Sequence, residues 1–232
     1  MKELKLTENK IGSILYAVAY FGLMIFIKFS GDILLKLFPV EFLVKYFDPL
    51  IYAIFFVAAV VCFRKIFGLS MTDFKENYKK YLKWSICFYF LNLVLVGIAG
   101  MILTAAEVDK SINQSAVEWA IEQNKILYAL TACILGPVVE EVIYRGIIFN
   151  ALAGEKNNTK RNVIAVILTA LIFAIMHVTF VGFTFYDLLA NLPVFMIGLT
   201  VTLLYLKTGN ILCPILVHMV INTISVIAQS VM

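Results

Sequence analysis

Charged residues are scarce in this chain: they make up 15% of the 232 residues, against 62% hydrophobic residues, and the mean hydropathy is +0.94. A soluble globular protein carries about 25% charged residues, because its surface must face water. The hydrophobic residues here form long runs, each about the length that crosses a hydrocarbon core of about 30 Å. The composition excludes an ordinary soluble domain and predicts an all-α fold, a polytopic bundle of transmembrane helices.

Paired cysteines and a concentrated basic surface are also lacking. The net charge is only +4, and the basic residues are dispersed between the hydrophobic runs, which excludes nucleic acid as a partner. The cysteines include no C-x-x-C pair, and each lies in a hydrophobic stretch, so neither a disulfide framework nor a structural zinc site is predicted. They are Cys62, Cys87, Cys133 and Cys213.

The hydrophobic runs divide into seven candidate spans. They are 11–30, 48–63, 84–104, 126–152, 162–182, 188–206 and 211–232. With seven crossings, 13 of the 19 Lys and Arg residues lie on the side of the N-terminus and 5 on the other side. Basic residues accumulate on the cytoplasmic side of membrane proteins, so the N-terminus is predicted to be cytoplasmic. We expect a multi-pass integral membrane protein of a bacterial cell membrane, with the lipid bilayer as its surroundings.

Ionisable residues inside the fourth span are the first functional candidates. An acidic or basic residue at the centre of a transmembrane helix costs about 2.5–3.5 kcal/mol, so such residues usually pair or line a cavity. Glu141 and Arg145 are i and i+4 on a helix, share one face and are predicted to pair. Glu140 lies on another face without this partner, which makes it the candidate general base. Pro137 has no N–H and is predicted to leave the carbonyl of Cys133 without its helical hydrogen bond.

The only two histidines also lie in hydrophobic segments. His218 and Asn222 are i and i+4, so one helix face presents two possible donors to an oxyanion. His177 follows Phe173 by four residues in the fifth span. It is predicted either to position a water with Glu140 or to join Glu140 and His218 in a metal site. A lone membrane histidine is usually explained by an interhelical hydrogen bond, but three separate polar sites together favour catalysis.

Three spaced motifs now stand on separate spans. They read Glu140-Glu141-x-x-x-Arg145, Phe173-x-x-x-His177 and His218-x-x-x-Asn222. In this order they resemble the signature of the CPBP family, the membrane proteases related to type II CAAX prenyl endopeptidases, abortive-infection proteins and bacteriocin-immunity proteins. The resemblance covers about residues 126–225. It implies an N-terminal set of helices and loops over 1–125 and a CPBP-like catalytic core over 126–232, both within one membrane domain.

The resemblance implies an intramembrane endopeptidase that cleaves a membrane-embedded or lipidated peptide or protein. Glu140 and His177 would activate water, and His218 and Asn222 would form the oxyanion hole. The remaining motif residues would support this site; they are Glu141, Arg145 and Phe173. Zinc is one possible cofactor, and a metal-free glutamate mechanism is equally compatible with these residues.

Two other functions remain open from the sequence. A protein of the same fold could bind a peptide or regulate a membrane partner without turnover, as a bacteriocin-immunity protein would. A transporter could relay protons through the same residues, although no inverted repeat with paired broken spans is evident.

Helix arithmetic raises one conflict. At 1.5 Å per residue, His218 lies about 10–12 Å from the cytoplasmic end of its span, and His177 about 23 Å from the same side. A tilted or re-entrant fifth span is expected to bring the two histidines together.

Overall fold

A computed structural model of the chain describes residues 10–108, 112–153, 158–178 and 185–231. Within these ranges every regular element is helical. Six helical segments are long and apolar enough to cross a membrane, and Leu192–Thr208 is a further, shorter apolar helix. The prediction of an all-α polytopic bundle with about seven spans is confirmed, and the chain is a multi-pass integral membrane protein.

The α-helices are numbered in chain order. They are α1 (Lys10–Phe29), α2 (Gly31–Leu37), α3 (Val40–Phe42), α4 (Asp48–Cys62), α5 (Arg64–Glu76), α6 (Tyr78–Ala105), α7 (Ile112–Leu130), α8 (Gly136–Glu141), α9 (Asn150–Leu152), α10 (Thr159–Met176), α11 (Phe185–Ala190), α12 (Leu192–Thr208) and α13 (Leu212–Val231). The stretches Leu43–Phe47, Thr131–Leu135 and Val142–Phe149 are π-helical.

The fourth span lies at the centre of the bundle. It runs through α7, α8 and α9 and the two π-helical stretches between them, and it kinks at Asn124. Helices α1, α4, α10, α12 and α13 all pack against it. Its residues 136–147 are all buried, whereas most of α6 is exposed on its lipid-facing side. The most enclosed segment is therefore the one that carries the two adjacent glutamates.

Two predicted boundaries were wrong. The segment 64–83, which separates the second and third predicted spans, contains α5. Ile66 and Ser70 lie on one face of this helix and are buried, while Arg64 and Lys65 are exposed. The fifth span, predicted over 162–182, forms α10 from Thr159, where the Asn158 side chain accepts the N–H of Arg161. This helix ends at Met176, and residues 179–184 lie outside the described part of the chain.

One group of polar contacts bears on the predicted orientation of the spans. The Asn210 amide nitrogen, in the turn between α12 and α13, donates to the Ser70 carbonyl at 2.8 Å and to Asp73 Oδ2 at 2.8 Å. The hydroxyl of Tyr81 also donates to Asp73 Oδ2, at 2.6 Å. Helix α5 and this turn therefore lie at the same end of the bundle, as the distribution of basic residues requires.

Candidate active site

Pro137 shapes the backbone immediately before the glutamates. The residues Thr131–Leu135 form a π-helix, in which the N–H of Gly136 bonds to the carbonyl of Thr131. In this register the N–H that Pro137 lacks would have bonded to the carbonyl of Ala132. The Asn222 side chain supplies the missing donor, since its amide nitrogen lies 2.8 Å from the Ala132 oxygen. The freed carbonyl is thus that of Ala132, and the prediction of Cys133 was wrong because it assumed an α-helix.

The predicted pair of Glu141 and Arg145 is present and fully enclosed. Arg145 Nη1 donates to Glu141 Oε1 at 2.8 Å, and both side chains are 0% exposed. The guanidinium makes two further hydrogen bonds to α12, from Nη2 to the Gly198 carbonyl at 2.9 Å and from Nε to Thr202 Oγ1 at 3.1 Å. A buried charge is costly unless its polar groups are paired by hydrogen bonds in this way. Arg145 therefore fastens the fourth span to α12.

His218 lies between the two glutamates. Its Nδ1 is 2.8 Å from Glu141 Oε1, and its Nε2 is 3.8 Å from Glu140 Oε2. Because Glu141 already accepts from Arg145, it is the acceptor here also, so His218 Nδ1 carries a hydrogen and its Nε2 is directed at Glu140. The cluster thus holds two carboxyl groups, one guanidinium and one imidazole, with Glu140 Oε2 and His218 Nε2 beyond hydrogen-bond distance of each other.

Glu140 is held by a residue that the sequence motifs did not indicate. The Tyr52 hydroxyl, on α4, donates to Glu140 Oε1 at 3.2 Å. Glu140 itself is 8% exposed. Its second oxygen, Oε2, accepts no hydrogen bond from the described residues and faces His218. One oxygen of the carboxylate is therefore bound, and the other is available to react.

The Phe173 ring connects the two histidines. It stands 4.4 Å from the His177 ring and 5.9 Å from the His218 ring, and Arg145 Cζ lies 4.9 Å from its centroid. His177 follows the last residue of α10, and its Nδ1 lies 2.7 Å from the Phe173 carbonyl. A carbonyl only accepts, so Nδ1 carries the hydrogen and Nε2 is left as an acceptor. Because both imidazoles border the same aromatic ring, His177 and His218 lie closer together than the helix arithmetic predicts.

The predicted site residues thus divide into two groups. Glu140, Glu141, Arg145 and His218 form one hydrogen-bonded and ionic cluster, while His177 joins it only through the Phe173 ring. Asn222 shares the α13 face with His218, as predicted, but its amide bonds to a backbone carbonyl. Among the described residues, no three or more His, Cys, Asp or Glu side chains are grouped so as to hold a metal ion.

Sequence reasoning missed Tyr52, Thr202 and Gly198. The spacing of Gly198 and Thr202, i and i+4 on α12, is a weak sign of close helix packing in a membrane. Here a Cβ on Gly198 would lie 3.0 Å from Phe173 Cδ1, so the glycine lets α12 approach the site. No spacing relates Tyr52 to a residue 88 positions away.

Comparisons with known proteins agree with this geometry. Residues 122–224 match the family model described as Type II CAAX prenyl endopeptidase Rce1-like. The chain is 31% identical over 156 residues to the putative membrane peptidase YdiL of Bacillus subtilis, covering 67% of this chain and 59% of that protein. It is 27% identical over 162 residues to the membrane-embedded CAAX protease MroQ of Staphylococcus aureus, covering 68% and 62%.

The chain spans less than two thirds of the length of these relatives. No solved structure matches it significantly. The matched region contains all three motifs and the whole ionic cluster. The resemblance predicted from the motifs is confirmed, since residues 122–224 match the Rce1-like family of type II CAAX prenyl endopeptidases.

Proposed function

We propose that this chain is an intramembrane endopeptidase in which Glu140 is the general base. The observation that supports this most directly is the arrangement of Glu140 and His218. Glu140 Oε2 and His218 Nε2 face each other at 3.8 Å without a hydrogen bond between them, in a buried setting. The two atoms are close enough for one water beside them to contact both, which is the arrangement that general base catalysis needs.

The proposed reaction uses these atoms in sequence. Glu140 Oε2 takes a proton from water as the water oxygen bonds to the scissile carbonyl carbon. His218, held at Nδ1 by Glu141, donates from Nε2 to the developing oxyanion. The carbon–nitrogen bond then breaks, and Glu140 returns the proton to the leaving amine. Glu141 stabilises the charge on His218 throughout, and Glu140 does so until it takes the proton.

His177 and Asn222 are assigned secondary roles in this proposal. His177 Nε2, left as an acceptor, would receive the other hydrogen of the water. Asn222 Nδ2 carries a second hydrogen beyond the one given to Ala132, and this hydrogen would assist His218 at the oxyanion. Both roles agree with those that the family resemblance implies.

We propose a metal-free mechanism for this reaction. Two free donor atoms, Glu140 Oε2 and His218 Nε2, converge, whereas catalytic zinc sites in proteins use three protein ligands. His177 Nε2 would have to be the third ligand, and among the described residues the His177 ring contacts Phe173 rather than Glu140 or His218.

The proposed substrate is a peptide with a membrane-associated or lipid-attached segment. The ionic cluster lies in the most enclosed part of a bundle whose outer helices are apolar, so a substrate reaches it most readily from the bilayer. The relatives named as a membrane peptidase and a CAAX protease support the same class of substrate.

The purified chain in liposomes provides the test. The probes are two internally quenched peptides: one ends in a farnesylated cysteine followed by three residues, and the other has the same sequence with a hydrophobic anchor in place of the farnesyl group. Glu140→Gln should lower kcat by about 10²–10⁴-fold. The exposed Glu76→Gln on α5 is the matched control and should have wild-type activity.

The outcomes separate the parts of the proposal. Cleavage of neither peptide by the wild type, or cleavage undiminished by Glu140→Gln, would overturn the endopeptidase assignment. Activity that survives a strong zinc chelator supports the metal-free mechanism, and activity that is lost and then restored by zinc alone overturns that part.

A further inference from the structure

One tyrosine hydroxyl binds the proposed base directly. Tyr52 on α4 donates to Glu140 Oε1 at 3.2 Å. The side chains of Tyr20, on α1, and Tyr144, on the fourth span, lie near Tyr52 and Glu140. Tyr20 and Tyr144 are buried, at 4% and 1% exposed. Three phenol groups therefore lie together inside the bundle, and Tyr52 is the one that binds Glu140.

The chemistry of the hydroxyl group fixes what Tyr52 can do here. A phenol has one hydrogen to donate. Tyr52 gives this hydrogen to Glu140 Oε1, so its oxygen can otherwise only accept a hydrogen bond. A hydrogen bond to a carboxylate is stronger than one between neutral groups, which favours this arrangement when Glu140 is ionised.

The rings around Tyr52 are held by aromatic contacts. Tyr144 lies on the fourth span, one turn beyond Glu140, and its ring makes edge contacts with Phe173 at 5.0 Å and Phe21 at 6.3 Å. The Tyr20 ring makes the same kind of contact with Phe55 at 5.4 Å. Tyr52 therefore lies among rings that cannot readily turn away.

We infer that Tyr52 is a positioning residue that selects which oxygen of Glu140 acts as the base. With Oε1 bound to the Tyr52 hydroxyl, the carboxylate plane is fixed and Oε2 is directed at His218 Nε2. This inference rests on the proposed function, since it concerns the orientation of the proposed base. It places α1 and α4, which lie outside the region that matches the family, among the elements that build the reactive geometry.

Tyr52→Phe removes the hydroxyl and keeps the ring. Using whichever anchored peptide the wild type cleaves, we expect kcat to fall by about 10–10²-fold with KM unchanged, because a misoriented carboxylate costs rate rather than binding. Tyr20→Phe should lower kcat less, since it leaves the Tyr52 hydroxyl on Glu140.

Tyr16→Phe is the matched control. The Tyr16 hydroxyl is also buried between α1 and α4, but it donates to the Phe55 carbonyl, at 2.9 Å, and not to Glu140. This variant should unfold at a lower temperature and keep the wild-type kcat. A merely structural role for Tyr52 predicts instead that all three variants lose activity in proportion to lost stability, and that result would overturn the inference.

Glu140→Gln, measured beside these variants, distinguishes a failure of the positioning role from a failure of the proposed function. If Glu140→Gln is inactive and Tyr52→Phe has the wild-type kcat, the positioning role is wrong and the proposed function stands. If Glu140→Gln remains active, the proposed base is wrong, and the positioning inference fails with it.

Discussion

Removing the charge of Glu141 is expected to destabilise the whole bundle. In Glu141→Gln, Arg145 keeps its hydrogen bonds to Gly198 and Thr202 but loses the carboxylate at 2.8 Å, and His218 loses the charged acceptor of its Nδ1 hydrogen. Breaking a buried ion pair from one side costs about 3–5 kcal/mol. We expect the lower end, about 3 kcal/mol, because two of the three guanidinium contacts remain and glutamine retains one oxygen acceptor.

Thermal unfolding in detergent measures this effect. For a chain of this size, a loss of about 3 kcal/mol lowers Tm by about 6–12 °C. The exposed Glu76→Gln is the control and should leave Tm unchanged. The double variant Glu141→Gln/Arg145→Met removes both charges and should recover part of the loss, since a neutral pair leaves no uncompensated ion. An unchanged Tm in the single variant, or a double variant less stable than the single one by a full additive increment, would refute the reasoning.

Two further substitutions test the packing around the site. Gly198→Ala places a methyl group 3.0 Å from Phe173 Cδ1 and 3.3 Å from the Ala170 backbone, so it should cost about 1–3 kcal/mol in unfolding free energy, whereas Gly97→Ala on α6, with no atom within 4 Å, should be neutral or stabilising. Equal unfolding temperatures for these two variants would contradict the close approach of α10 and α12. Asn210→Ala removes the amide that donates from the α12–α13 turn to the Ser70 carbonyl and Asp73 Oδ2, and it should cost about 1–3 kcal/mol, against no change for the exposed Thr223→Ala. A stable Asn210→Ala protein would mean that α5 is held to the α12–α13 turn by other contacts.

Local spacing predicted the parts of the site that depend on one helix. The pairing of Glu141 with Arg145 follows from an i, i+4 separation, and the common face of His218 and Asn222 follows in the same way. The scarcity of charge likewise predicted the membrane and the approximate number of spans. These inferences succeeded because each concerns residues within one or two turns of each other, or the composition of a whole segment.

Residue spacing could not predict the contacts between residues far apart in the sequence. The donors to Glu140 and Arg145 come from α4 and α12, and nothing in the spacing of Tyr52 or Thr202 relates them to the fourth span. The backbone register at Pro137 was also inaccessible, because a π-helix and an α-helix place the same residue types one position apart. Helix α5 was missed because its apolar face is short and is interrupted by polar residues.

The three motifs form one network, in which some residues hold the helices together and others are left free of structural hydrogen bonds. Arg145 ties the fourth span to α12, Glu141 ties it to α13 through His218, and Asn222 satisfies the carbonyl that Pro137 leaves free. Loss of activity on changing Glu141, Arg145 or Asn222 therefore follows from lost structure as readily as from lost chemistry. Among the described residues of this cluster, Glu140 Oε2 and His218 Nε2 are the atoms that face each other without a structural hydrogen bond. For this reason Glu140, with a matched control for stability, is the residue at which a chemical role can be separated from a structural one.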